Sequence, residues 1–321
     1  MRRLTARAHL WGGLLLGPLV VVLGLSGAAL VFRAELDDAL GGPPPVSAGP
    51  PRALDAIVAT ALLTEPAGAA TALRIPERAD RPYRVEVVVG TRRVDVAVDP
   101  VTLHVVDSRS PERSVLAAVR SLHAGFHAGR PGAIAVGLIG LAVVVESVTG
   151  LWLYGPRLRR RARVARPRGR SRGLHRVVGG ASLAISLVVG LSGVTLALAG
   201  AAAPTSAPGR LERVDTLAAR ARAAVPDGAI VALTAVDGRL RVDMRLADRR
   251  GLTTVLLERD SGRIVAVQSS RSDGAWDVVR RLHYGDFAGW LSRALYAFAG
   301  IVLAVLSITG YLVATRPRAS P

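Results

Sequence analysis

The chain alternates between long apolar runs and polar segments, and four of the runs are long enough to cross a membrane. These runs are Leu10–Phe32, Gly132–Tyr154, Val177–Ala203 and Leu291–Ala314. A helix needs roughly 20 residues to span the hydrocarbon of a bilayer, and charged residues are nearly absent from all four runs. The pattern therefore predicts four transmembrane helices.

Two polar segments separate the first run from the second and the third from the fourth, and both follow one plan. Each begins with Gly or Pro residues, continues as an amphipathic helix, and ends in β-branched or alternating residues typical of strands. The predicted helices are Arg52–Leu63 and Leu211–Ala224; the predicted strands are Tyr83–Val89, Arg93–Val98, Leu103–Val106, Ala229–Leu233, Leu240–Arg245, Thr253–Glu258 and Ile264–Val267. The predicted fold class is an α-helical membrane protein with α+β extracytoplasmic domains, in which a helix–domain–helix unit occurs twice in the same orientation.

The first apolar run also has features of a secretory signal peptide. Arg2 and Arg3 precede it, and Ser26–Ala29 supplies small residues for cleavage. Its apolar part exceeds the core of about 7–15 residues that is typical of such a peptide. It also shares its spacing from a histidine with the third run. A retained helix is the preferred interpretation.

Basic charge is concentrated in short segments. The formal net charge is +18, and the sequence contains arginine but no lysine. Gly155–Arg176 holds ten arginines, and the two ends of the chain hold five more. Arginine-rich short loops stay in the cytoplasm. This loop and both termini are therefore predicted to lie on the cytoplasmic side of the inner membrane. The clustering of arginine in these short segments also explains the net charge without a nucleic-acid partner. The predicted partner is the lipid bilayer.

The predicted boundaries follow from the apolar runs and this orientation. The cytoplasmic segments are 1–9, 155–174 and 315–321; the transmembrane segments are 10–33, 123–154, 175–203 and 283–314; the extracytoplasmic domains are 34–122 and 204–282. The second and fourth spans include the histidine that precedes each apolar run.

Histidine occupies matching places before the first and third apolar runs. His9 lies sixteen residues before Leu25–Gly27, and His175 lies sixteen residues before Leu191–Gly193. Both tripeptides read Leu-Ser-Gly. A second spacing relates the other two runs in the same way.

His123 lies twenty-four residues before Ser147–Gly150, and His283 lies twenty-four residues before Ser307–Gly310. Both tetrapeptides have Ser first and Thr-Gly last. Four of the six histidines in the sequence are therefore retained at matching positions, which favours a shared function over four independent interfacial residues.

The orientation places two of these histidines near each membrane face, His9 with His175 and His123 with His283. A six-coordinate haem iron takes one imidazole from each side, so the pattern predicts two haems, one near each membrane face. The sequence contains no cysteine, which excludes thiolate ligation and covalent c-type attachment. The alternative is that each histidine is a polar residue hydrated at the membrane interface.

The outer segments and the apolar runs together resemble a known family. The modules that end in an Asp-turn-strand sequence such as Val98–Leu103 resemble the PepSY domain. Three helix motifs look like those of PepSY-associated transmembrane proteins: Ala8–Gly13, Leu122–Gly125 and Leu174–Gly179. That family includes iron-regulated membrane proteins and inner-membrane ferric-siderophore reductases. For the reductases, the resemblance implies b-type haem held by membrane histidines and electron delivery to ferric chelates in the periplasm.

Two further residues are candidates for roles beside the haems. His127 follows His123 by four residues, so a helix would place both on one face; His127 is an alternative ligand or a supporting group. Glu146 is the single acidic residue deep in an apolar run. It is predicted to accept a hydrogen bond from a ligand or to take up a proton on reduction; the alternative is a protonated carboxyl bonded to Ser147 or Thr149.

Three residues at the edges of the predicted elements have open roles. Arg130 and Arg293 lie at the outer starts of the second and fourth runs. They are predicted either to pair with haem propionates or to extend to the interface without a ligand. His104 falls in a predicted outer strand and is expected to be a surface or structural residue.

The sequence has no dinucleotide-binding turn, no phosphate-binding loop and no hydrolase motif. The predicted cytoplasmic segments are too short for a flavin or NAD site, so a separate donor is expected, either quinol or a cytoplasmic reductase. The leading hypothesis is an inner-membrane electron-transfer protein that reduces an external acceptor such as a ferric chelate. The alternative is a non-redox membrane protein whose PepSY-like domains bind or regulate a peptide, protease or other partner.

Overall fold

The computed structural model describes residues 1–40, 42–110, 114–160, 170–202, 207–246, 252–269 and 274–315. Part of the predicted arginine-rich loop, 161–169, and the C-terminal residues 316–321 lie outside the described residues. The chain divides into two compact units. We call them the membrane unit, with segments Met1–Ala34, Ala118–Ala203 and Val279–Pro321, and the sheet unit, with segments Glu35–Ala117 and Pro204–Val278.

The described elements follow one another in this order: α1 (Arg2–Val31), α2 (Arg33–Ala39), α3 (Leu54–Thr64), β1 (Ala69–Arg74), β2 (Tyr83–Val89), β3 (Arg92–Val98), β4 (Val105–Arg109), α4 (Val115–Gly125), α5 (Gly129–Arg160), α6 (Arg170–Ala202), α7 (Val214–Ala224), β5 (Gly228–Val236), β6 (Arg239–Leu246), β7 (Leu252–Glu258), β8 (Ile264–Ser269), α8 (Ala275–Tyr284) and α9 (Gly289–Thr315). The helices α1, α5, α6 and α9 are each long and apolar enough to cross a membrane. Four candidate membrane helices are therefore confirmed.

The second and fourth spans begin later than the sequence predicted. His123 lies on α4 and His283 lies on α8, and each of these short helices is separated from the long helix that follows by a turn. Three residues of the first turn and two of the second have positive φ angles, which a right-handed helix does not allow. The spans therefore start at Gly129 and Gly289, and both histidines lie on separate elements before them.

The four long helices form a bundle with two close crossings. The helix α1 packs on α9 and α5, and α6 packs on α5 and α9, so α1 and α6 are diagonal neighbours. A Cβ at Gly24 of α1 would collide with the backbone of Gly300 on α9, and one at Gly140 of α5 would lie 3.3 Å from the carbonyl oxygen of Gly190 on α6. Small residues at such crossings let membrane helices approach closely.

The sheet unit contains one antiparallel sheet of eight strands, in the order β4-β3-β2-β1-β5-β6-β7-β8. The helix α3 packs on β1, β2 and β3, while α7 packs on β5, β6 and β7. Val, Leu and Ile side chains from the strands and both helices form one buried core. The sequence predicted two small α+β domains; the structure joins them into one sheet, because β1 and β5 pair from Ala72↔Thr234 to Arg74↔Ala232.

Two strands differ from the sequence prediction. The strand β1 was not predicted, because Ala69–Arg74 is rich in alanine and has few of the β-branched residues that signal a strand. The strand β4 begins at Val105 rather than Leu103, since Leu103 has a φ of 62° in the preceding turn. His104 lies just before β4 and is exposed, so it is a surface residue outside the observed strand, although the sequence predicted it within one.

The helices α3 and α7 cap each other. The carboxylate of Asp215 on α7 accepts the backbone N–H groups of Leu54 and Asp55 at 2.9 Å each. The carboxylate of Asp55 on α3 accepts those of Val214 at 2.7 Å and Asp215 at 3.2 Å. The first N–H groups of a helix have no partner within the helix, so each aspartate supplies the cap that the other helix lacks.

Candidate functional site

The four matched histidines form two pairs in the membrane unit. The imidazole centroids of His9 on α1 and His175 on α6 are 6.4 Å apart. Those of His123 on α4 and His283 on α8 are 6.3 Å apart. The structure thus brings together the same histidines that the orientation argument paired, and the first pair joins the diagonal helices α1 and α6.

Each histidine contacts a hydroxyl group on a neighbouring long helix through its Nδ1 atom. The distances are 3.0 Å from His9 to Thr149, 3.1 Å from His175 to Thr309, 3.0 Å from His123 to Ser26 and 3.1 Å from His283 to Ser192. All four hydroxyls belong to the short sequences that lie at fixed distances after the histidines. The repeated spacing in the sequence therefore marks repeated contacts in the structure.

The hydroxyls fix which imidazole nitrogen carries the proton. Each hydroxyl donates its own hydrogen to a backbone carbonyl one turn earlier, from Ser26 to Val22 at 2.7 Å, Ser192 to Val188 at 2.6 Å, Thr149 to Val145 at 2.8 Å and Thr309 to Val305 at 2.8 Å. A hydroxyl has only one hydrogen; with that hydrogen on the carbonyl, the hydroxyl accepts from the imidazole, and Nδ1 is the donor. The lone pair is then on Nε2, the nitrogen left for a metal.

A glycine follows each hydroxyl residue, and the edge of an imidazole lies over it. A Cβ on these glycines would lie 2.8 Å from Cε1 of His123 at Gly27, 3.2 Å from His283 at Gly193, 3.4 Å from His9 at Gly150 and 3.4 Å from His175 at Gly310. Contacts under 3.4 Å are tighter than nearly all real Cβ contacts. The missing side chains therefore make room for the rings of His123 and His283 in particular.

The donor set fits haem: His9 with His175, and His123 with His283, would each supply two imidazoles to one haem iron. The centroid separations of 6.4 and 6.3 Å bring the two rings of each pair together. Imidazoles held by a second hydrogen bond through Nδ1 are typical of metal ligands, and all four histidines have one.

The two pairs lie at opposite ends of the bundle. On α1, His9 belongs to one pair, and Ser26, seventeen residues later, contacts His123 of the other pair. With a rise of about 1.5 Å per residue, the pairs are roughly 25 Å apart along the helix axis. His123 and His283 each follow, by five and four residues, the start of a membrane-unit segment at Ala118 and Val279.

Glu146 lies beside the first pair. Its Oε2 atom is 2.5 Å from Nδ1 of His9, and its carboxyl covers Gly12 of α1, where a Cβ would collide with it. Of the roles that the sequence left open, the geometry fits acceptance of a hydrogen bond from a ligand candidate. Thr149, named as an alternative partner of Glu146, contacts His9 through its hydroxyl as well.

The two arginines predicted near haem propionates bind helix ends. Arg130 donates from Nε to the carbonyl of Ala201 at 2.8 Å. Arg293 donates from Nη2 to the carbonyl of Val31 at 2.9 Å, and its guanidinium lies 5.0 Å from the ring centroid of Phe32. Both satisfy carbonyls at the C-terminal end of another long helix, α6 for Arg130 and α1 for Arg293, a structural role that the sequence analysis missed.

Contrary to the sequence prediction, His127 does not share a helix face with His123. The helix α4 ends at Gly125, and His127 is exposed in the following turn with a φ of 59°. The predicted one-turn relation to His123 requires a continuous helix, so it does not hold. Within the part of the chain that the structure describes, the contact with His283 belongs to His123.

A comparison with known families places the chain. A family described as the PepSY-associated TM region matches residues 6–316, nearly the whole chain. The chain belongs to the PepSY-associated TM family. The resemblance found in the sequence is therefore confirmed, and the match together with the four apolar helices indicates a multi-pass membrane protein. No curated protein matches this PepSY-associated TM protein. The matched residues include both histidine pairs.

Proposed function

We propose that this PepSY-associated TM protein is a di-haem b-type electron-transfer protein of the inner membrane that reduces an external ferric chelate. The observation that carries the proposal is the presence of two imidazole pairs with centroids 6.4 and 6.3 Å apart. In both pairs each Nδ1 faces a hydroxyl, joined at His9 by the Glu146 carboxyl and at His175 by the Leu306 carbonyl. With these acceptors for the Nδ1 proton, Nε2 is the nitrogen left for a metal.

His9 with His175 and His123 with His283 would each hold one haem. Iron between two imidazoles can change oxidation state without opening a coordination position, which is the chemistry that the bound group would supply. The chain contributes the ligands, their tautomers and the glycine surfaces that receive the rings. Its apolar helices keep water and ions away from the path between the two ends.

The distribution of arginine gives the proposed orientation. Short arginine-rich segments stay in the cytoplasm, so the chain termini and the loop between α5 and α6 face inward, and the sheet unit lies outside. The His9–His175 pair is then next to the cytoplasm, and the His123–His283 pair is next to the periplasm. We propose that the sheet unit helps to bind the acceptor.

The proposed reaction needs a separate electron donor. Oxidation of one quinol releases two electrons and two protons, and two ferric chelates each accept one electron to become ferrous. A cytoplasmic reductase is the other class of donor that satisfies this balance. In both cases the chain conducts electrons, and the protons remain with the donor reaction.

The proposed architecture is a duplicated helix–domain–helix unit. His175 follows His9 by 166 residues, as Ser192 follows Ser26, and His283 follows His123 by 160 residues, as Thr309 follows Thr149. Each half supplies one histidine to each pair. A duplication explains why one contact, a histidine on a hydroxyl beside a glycine, occurs four times in one chain.

The test is the absorption spectrum of the detergent-purified full chain, expressed with ample haem and recorded oxidised and reduced. We expect a b-type spectrum and two haems per chain, with one haem left in His283→Ala and both retained in His104→Ala, which changes an exposed histidine. A colourless wild-type protein would reject the redox function. It would leave a non-redox membrane protein with a binding or protease-regulatory role.

A further inference from the structure

One of the two histidine pairs has an acidic neighbour. Nδ1 of His9 lies 2.5 Å from a carboxyl oxygen of Glu146. Nδ1 of His175 lies 3.1 Å from the backbone carbonyl of Leu306, in addition to its threonine contact. Both histidines of the other pair contact a serine hydroxyl. The two pairs are alike in their histidines and differ in the acidic residue that contacts one of them.

The position of Glu146 is built into the packing of α5 on α1. The carboxyl covers Gly12, and in the other half of the chain Leu306 lies at the corresponding place, with its side chain 3.5 Å from a Cβ position at Gly179. The side chains of His9 and Glu146 are only 27% and 25% exposed. A carboxylate in an apolar helix is costly unless it has a partner, and here the partner is a ligand candidate.

We propose that Glu146 makes the His9–His175 pair the lower-potential of the two iron sites. The proposal rests on the proposed function. A carboxylate that accepts the Nδ1 proton makes the imidazole a stronger electron donor. A stronger donor favours the more positively charged ferric state, so the site becomes harder to reduce. Glu146 is in this sense a positioning residue, because it acts through His9.

The expected result is a difference in potential along the direction of electron flow. With the proposed orientation, the lower-potential site is at the cytoplasmic end, next to the donor, and the higher-potential site is at the end next to the acceptor. Electron transfer toward the acceptor is then favourable within the chain. Two identical sites would lack this bias.

The experiment is an equilibrium redox titration followed by absorbance on the detergent-purified, haem-loaded chain. The key variant is Glu146→Gln, which keeps an oxygen acceptor for His9 and removes the charge. It is compared in the wild-type background and in His283→Ala, where only the His9–His175 site remains. We expect one potential to rise in the first background and the single potential to rise in the second. Glu212→Gln, which makes the same change at an exposed glutamate of the sheet unit, is the matched control and should leave both potentials unchanged.

The outcomes separate the two proposals. A wild-type protein without haem rejects the proposed function and this inference with it. Two bound haems whose potentials are the same in wild type and Glu146→Gln overturn the inference and leave the function standing. If Glu146→Gln loses the haem, Leu306→Glu decides: a lower potential, with a shifted low-spin EPR signal from the same site, supports the role of the carboxylate, and an unchanged potential overturns it.

Discussion

The contact with the Ser192 hydroxyl determines which nitrogen of His283 is free. At Ser192 the side chain donates to Val188 and can only accept from His283, so the imidazole keeps its proton on Nδ1. The sequence signalled this arrangement only as a spacing between a histidine and a Ser-Gly pair. The spacing identified the right residues, but the contact between them required the helix packing.

Removing one of these hydroxyls should weaken one haem site. In Ser192→Ala, His283 loses its Nδ1 acceptor, and we expect the haem affinity of that site to fall about 10–100-fold, measured by haem titration of the apoprotein. The control is Ser147→Ala, because the hydroxyl of Ser147 donates to the carbonyl of Val143 and no histidine contact is recorded for it among the described residues. Equal affinities in Ser192→Ala and wild type would contradict the assigned role.

Asp99 should make the sheet unit sensitive to acid. Burial raises the pKa of Asp99, but hydrogen bonds from the backbone of Ser47, Val101 and Thr102 outweigh it and hold the pKa well below the usual value of 3.8. A carboxylate with a lowered pKa stabilises the fold above its unfolded pKa, and this stability is lost as the pH falls through its folded pKa. We expect the melting temperature to fall as the pH is lowered from 5 to below about 4. The fall should be larger in wild type than in Asp99→Asn.

The matched control is Asp260→Asn, since the Asp260 side chain is 94% exposed. Its melting temperature should follow that of the wild type at every pH. Identical acid profiles for Asp99→Asn and wild type would show that Asp99 does not contribute to the pH dependence.

At the scale of elements, hydrophobic residues repeating every two positions in strands and every 3.6 in helices predicted most of the secondary structure. The strand β2 was predicted with its observed ends, because Tyr83–Val89 combines an aromatic residue with valines. The alanine-rich β1 was missed, although it joins the halves of the sheet through β5. The short helices α4 and α8 were merged with the spans that follow, since an apolar pattern does not record a left-handed turn.

The reciprocal caps should make α3 and α7 depend on each other. In Asp215→Ala, the N–H groups of Leu54 and Asp55 lose their acceptor, and we expect the free energy of unfolding to fall by about 1–2 kcal/mol. Thermal unfolding of the full chain, followed by circular dichroism, measures the change. Asp55→Ala should have a similar effect through α7. No change in either variant, with Asp260→Ala as control, would show that water replaces the caps.

At the scale of the whole molecule, both units are assembled from both halves of the chain. The sequence indicated a helix–domain–helix unit twice, which suggests two bodies side by side. Instead, β1 pairs with β5 in the sheet unit, and α1 packs most extensively on α9 in the membrane unit. Such pairing between halves depends on surface complementarity, and no periodicity within either half reports it.

The crossing of α1 and α9 should therefore control the stability of the membrane unit. A side chain at Gly300 would collide with the backbone of Gly24, and we expect Gly300→Val to lower the stability of the detergent-purified chain by about 1–3 kcal/mol and to reduce haem at both sites. Gly180→Val is the control, because a Cβ there meets nothing within 4 Å. A Gly300→Val protein as stable as this control would contradict the importance of the crossing.

The same crossing sets an order of events during biosynthesis. Of the four long helices described, α1 leaves the ribosome before the others and α9 after them, with 257 residues between Val31 and Gly289. At about 5–20 residues per second, translation of that stretch takes on the order of ten seconds to a minute. The small-residue surface around Gly24 is without its final neighbour throughout this time. The packing of α1 on α9 therefore forms only after α9 has been inserted.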